Sequence, residues 1–148
     1  MSSSGLDVFD HTIQSTNIAL GKIEDRLGWS NEQRNQSYLA LRVLLHAIRD
    51  RLPINEAIQL SSSFPLLIKG VYFDGWDPKE KLEKLNKAEF IERLRRQFPF
   101  DVEGGIESVV GAVMGVVIEM TPSGEIADVL NSLPANIAEF LIGIEEVE

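Results

Sequence analysis

The sequence predicts an all-α protein, a compact helical bundle of about seven or eight helices built from two tandem helical repeats. Apolar residues recur at steps of three and four along most of the chain, which is the helical period. Prolines break these runs where helices would stop or start. The stretch 41–71 also lies over 110–140 without a gap, 69 residues on. At 148 residues, 44% hydrophobic and 25% charged, the composition is that of a single globular unit. Residues 1–148 are therefore read as one helical domain, with a first copy at about 9–76 and a second at about 87–142.

In chain order, Phe9, Ile13, Ile18, Leu20, Ile23 and Leu27 give the first helix its apolar face, and Gly28 supplies its C-cap. The second helix opens at Ser30 or Asn31, with Gln33 placed to complete a capping box from Ser30. Leu41, Leu44, Leu45, Ile48 and Leu52 form its buried face, while Arg42, His46, Arg49 and Asp50 lie on the other side. Residues 54–62 and 64–73 read as two shorter helices, with Pro65 in the first turn of the latter. Gly75 and Pro78 then punctuate the chain. The pattern resumes at Ala88, stacking Phe90, Leu94 and Phe98, and Pro99 ends it.

Segment 106–120 is rich in Val and Ile, which favours a strand by propensity. Ile106, Val109, Val110, Val113, Val116, Val117 and Met120 nevertheless form a helical stripe, beside a small-residue face of Ser108, Gly111, Ala112 and Gly115. The internal comparison decides for a helix. Leu41, Leu44, Ile48 and Leu60 face Val110, Val113, Val117 and Val129. Pro53 faces Pro122 and Pro65 faces Pro134. Since 41–52 is helical, its counterpart is expected to be so too. A copy of about 65 residues is marginal alone, whereas two can share one core.

The charge is unevenly spread. The net of −9 divides into −2 over residues 1–78, +3 over 79–100 and −10 over 101–148, the last with no Lys or Arg. Such an anionic third repels nucleic-acid and lipid phosphates, so neither is expected as a partner. The basic stretch is expected to dock on the acidic third of its own chain or of a neighbour. The absence of Cys removes disulfides, thiolate metal sites and cysteine nucleophiles. Two His leave little for zinc, and no metal or cofactor is expected. No secretory signal or membrane-length apolar run is seen, so a cytoplasmic protein is the expectation.

The stretch LRVLLHAIRDRLPINEAIQLSSSFPLLIKGVYFDGW, residues 41–76, resembles the family called domain of unknown function 2267. His46, Arg49, Asp50 and Arg51 match its first part, and Gly70, Tyr72, Asp74, Gly75 and Trp76 its second. Phe64 stands where the family has leucine. AEFIERLRRQF and LPANIAEFL are similar to its later segments. The resemblance implies a small helical bacterial protein without an established biochemical activity.

His46 and Asp50, four apart, could form the orienting half of a general base, but no nucleophile context accompanies them, and a surface pair is the plainer reading. In VYFDGWDP, residues 71–78, Tyr72, Phe73 and Trp76 are read as caps over a helix end, with Gly75 turning the chain. The alternative is a loop that grips a partner. Asp74, Asp77 and Glu80 lack the ladder of a calcium loop. In 79–96, acids alternate with the bases, which favours a salted helix surface over a nucleic-acid stripe. Gly104-Gly105 is read as a loop between the copies, since no Lys follows it as in a phosphate nest. The function expected is a non-enzymatic module for protein contact or self-association, with His46, Arg49, Tyr72, Asp74 and Trp76 as its candidate surface. The alternative is a small-molecule or enzymatic site between the repeats near His46, Arg49 and Tyr72.

Overall fold

Eight α-helices and no strand are found among the described residues, 4–79 and 84–143, of this computed structural model. They are α1 (Asp7–Leu27), α2 (Arg34–Arg51), α3 (Ile54–Leu60), α4 (Leu66–Phe73), α5 (Lys87–Gln97), α6 (Gly105–Met120), α7 (Ser123–Asn131) and α8 (Ala135–Leu141). Residues 80–83 of the basic stretch, including the Glu80 weighed for calcium, lie outside the described residues, as do 144–148 of the acidic third.

Local chemistry sets the helix ends. Gly28, at φ +69°, closes α1 with the paired bonds of a Schellman turn: Trp29 N–H to Glu24 O at 2.9 Å and Gly28 N–H to Asp25 O at 3.4 Å. Ser30 and Gln33 form the expected capping box, over a 3₁₀ turn that leads into α2. A second box, Asn86 with Glu89, opens α5 one residue before the expected start. Pro53, Pro65, Pro122 and Pro134 occupy the N-caps of α3, α4, α7 and α8, all with φ near −55° and extended ψ. Pro65 thus stands before the first turn of α4 rather than in it. The caps of α3 and α7 are 69 residues apart, as are those of α4 and α8.

α2 and α6 are the central helices. α2 packs on α1, α4, α5 and α6, while α6 also receives α1, α5 and α8. The Val- and Ile-rich segment is a helix because Val109, Val110, Val113, Val116 and Val117 are all buried along one stripe, and burial outweighs strand propensity. One continuous core runs from Ile23 through Leu45, Ile48, Tyr72 and Phe90 to Val113, Ile137 and Leu141.

The face of α1 differs from expectation. Phe9, Ile13 and Ile18 are exposed, whereas Thr12, Thr16 and Glu24 are buried with Ala19, Leu20 and Ile23. Each buried polar group has a partner. Thr12 Oγ1 accepts from Leu67 N–H at 2.8 Å, and Thr16 Oγ1 donates to Thr12 O at 2.8 Å. Glu24 receives a fork from Arg34, at 2.8 and 3.0 Å, and the Ser37 hydroxyl at 2.6 Å. Apolar spacing alone could not foresee a stripe built partly of satisfied polar groups.

Candidate functional site: an arginine clamp and an apolar groove

The candidate residues of α2 and α4 meet at the C-terminal end of α4. A helix end leaves carbonyls without intrahelical partners. Asp74 N–H still reaches Gly70 O, so the unpaired carbonyls are those of Val71, Tyr72, Phe73 and Asp74. His46 Nε2 meets Val71 O at 2.6 Å. Arg49 Nη1 donates to Tyr72 O at 2.7 Å and to Asp74 O at 3.1 Å. Phe73 O accepts from Trp76 N–H at 3.0 Å, across the turn that Gly75 makes at φ +74°. All four carbonyls are therefore satisfied, three of them by side chains of α2. Two cationic side chains at a helix C-terminus also complement its dipole: Arg49, and Arg42 paired with the Asp74 carboxylate at 2.9 Å.

The same arginine ties in α5. Arg49 Nε donates to Asp50 Oδ1 at 2.8 Å, and Arg93 Nη2 to Asp50 Oδ2 at 2.7 Å. Arg51 Nε holds Leu85 O at 3.0 Å, fixing the approach to α5. Tyr72, fully buried, extends the network to α3 by donating its hydroxyl to Ala57 O at 2.6 Å. Its ring stands edge-on to Phe64 and Phe73 at 5.6 and 4.9 Å. Trp76 is half-buried against Phe73, at 5.5 Å.

The electrostatics fit a scaffold. Burial lowers the His46 pKa, Arg49 and Arg42 push it further down, and together they outweigh the Val71 carbonyl and Asp50. The ring is thus neutral near pH 7, and because a carbonyl only accepts, its proton sits on Nε2. Burial works to raise the Asp50 pKa, but the hydrogen bonds from Arg49 and Arg93 prevail and hold it below the usual range.

The expected surface pair of His46 with Asp50 gives way to separate partners: the ring turns to α4 and the carboxylate to the two arginines. Arg49 is not on a solvent face either, being 5% exposed. Among the five candidates, Asp74 is exposed, Trp76 and His46 are half-buried, and Arg49 and Tyr72 are buried.

A second feature lies elsewhere. An apolar groove of about 600 Å³ runs between α5, α6 and α8, lined by Ile91, Met114, Ile118, Phe140 and Ile142, with Lys87 and Glu107 beside them. Gly111 and Gly115 of α6 line it too. Gly115 has an internal reason to be glycine, because a Cβ there would stand 2.5 Å from Arg26 Nη1, which reaches over α6 to Ala112 O and Glu119. Gly111 has none, as a Cβ would meet nothing within 4 Å. Sequence reasoning missed the groove. Its signal there is Ile118 and Gly111, which fall off the buried valine stripe of α6 yet are apolar.

Among the described residues there is no group of three or more His, Asp or Glu placed to hold a metal ion, and no helix long and apolar enough to cross a membrane. The class defined is a helical bundle whose most elaborate polar cluster ties helices together. The family model for the uncharacterized conserved protein DUF2267 matches residues 16–140, and the chain belongs to this family. No curated protein matches the chain.

Proposed function

We propose that this protein is a non-enzymatic module of the cytoplasm that acts through protein–protein contact, with the α5–α6–α8 groove as its contact surface. One observation carries the reading: the groove is apolar and open, and its floor includes Gly111, a helix-interior glycine with space above it. Such a glycine weakens a helix. Its benefit lies outside the chain, where a partner's backbone could come close. The polar candidates support the same reading from the other side, since the bonding atoms of His46, Arg49, Asp50 and Tyr72 are already engaged within the fold. Asp74 and the outer edge of Trp76 are what that cluster leaves for a partner. The alternative, a small-molecule or enzymatic site near His46, Arg49 and Tyr72, has the weaker support because it requires this bonding to be undone.

The 69-residue spacing of the proline caps supports a fold made of two copies of one helical unit, at about 9–76 and 87–142. Under this reading α6 repeats α2, and the groove beside α6 stands where α1 and α4 flank α2.

Selection of displayed peptides on the intact protein tests the reading. Binders are expected that lose affinity for Gly111→Leu and keep it for Asp74→Ala. A selection that yields only binders indifferent to Gly111→Leu overturns the groove as the contact surface.

A further inference from the structure

We infer that the occupant of this groove is a second copy of the same chain, an inference that rests on the contact-module reading and names its partner. The argument is the opposite charge of the two walls. α5 carries Lys87, Arg93, Arg95 and Arg96 against only Glu89 and Glu92, a net of +2. From α6 to α8 the chain carries five acids and no Lys or Arg, a net of −5.

A cationic partner peptide suits one wall and an anionic one the other. A second copy turned about a two-fold axis suits both, because each basic α5 then faces the other copy's acidic α6–α8 side. The contact Arg95 makes with Glu107, at 3.6 Å between two exposed side chains, is weak enough to be exchanged for one between copies.

The apolar groundwork has the same self-complementary form. Ile118 and Ile142, 43% and 44% exposed, stand out beside the groove, and the open floor at Gly111 admits such side chains. In the two-fold arrangement each copy offers both the projecting isoleucines and the groove.

The charge pattern gives a sign that generic stickiness lacks. With a net of −9 per chain, copies meeting through like-charged faces associate more tightly as salt screens their repulsion. Copies meeting through opposite walls associate less tightly.

The test is sedimentation equilibrium of the full chain over a wide concentration range, at low and high salt. The expected result is a reversible dimer that weakens as salt rises, and that Ile118→Glu and Gly111→Leu each weaken by about tenfold or more. Both positions are exposed, and thermal melting of the variants is expected to remain cooperative and unshifted downward. A monomer at every concentration overturns the inference. So does a dimer indifferent to both substitutions, or one that tightens with salt. A monomer whose groove still selects peptides sensitive to Gly111→Leu separates the two failures: the partner is wrong and the contact surface stands.

Discussion

Arg49 shows how much one side chain holds when its donors are all committed. It satisfies two carbonyls of one helix end and half of a carboxylate that also binds Arg93. Its replacement by Ala strands Tyr72 O and leaves Asp50 with one cation. Removing one partner of a buried pair costs about 3–5 kcal/mol, and a loss of that size is expected for Arg49→Ala in urea denaturation. His46 adds a dependence on pH. Because its folded pKa lies below the unfolded value of 6.5, the folded chain binds fewer protons. Its contribution is therefore complete above the unfolded pKa and declines as pH falls through and below it. Stability is expected to drop between about pH 7 and 5, and His46→Gln, which can still donate to Val71 O, is expected to flatten that part of the profile. Asp50 acts at lower pH with the opposite change in charge. Its depressed pKa gives stability present above the unfolded value and lost on further acidification.

At the scale of the helix, α6 contains both a glycine with a packing reason and one without. Gly111→Ala is expected to raise stability by about 0.5–1 kcal/mol, since Ala is the better helix former and its Cβ meets open space. Thermal or urea unfolding checks this. At Gly115 the added Cβ displaces the Arg26 guanidinium from Ala112 O, so the same gain is offset. These helices were largely legible in the sequence because spacing and prolines are local signals: Gly28, the Ser30–Gln33 box and the valine stripe of α6 each stand within one element. The clamp was legible only in part. The sequence singled out His46, Arg49, Tyr72, Asp74 and Trp76, but placed the α2 members on the solvent side. An arginine off the apolar stripe reads as exposed unless the helix end that buries it is known, and that end lies 23 to 25 residues away. The groove is harder still, because its walls come from three helices and its floor is marked by the lack of a side chain.

For the whole molecule, the decisive arrangement is that α1 packs on α6 while α5 packs on α2. The first helix of each half thus covers the central helix of the other. A chain divided between residues 78 and 79 would leave each half with an uncovered central helix and about 70 residues, too few to compensate. Each half alone is expected to show little helix by circular dichroism, and mixing the two is expected to restore it. An independently folded half would count against this dependence.

The saturated end of α4 has one more consequence, for how the molecule opens. An eight-residue helix is too short to persist unaided, and helix ends ordinarily fray. Here the terminal carbonyls are held from α2, and the Tyr72 hydroxyl is fastened to α3. Loosening the last turn of α4 means withdrawing an arginine and a histidine from the middle of the fold. The shortest route to local fluctuation is closed, and this segment opens together with the central helix rather than ahead of it.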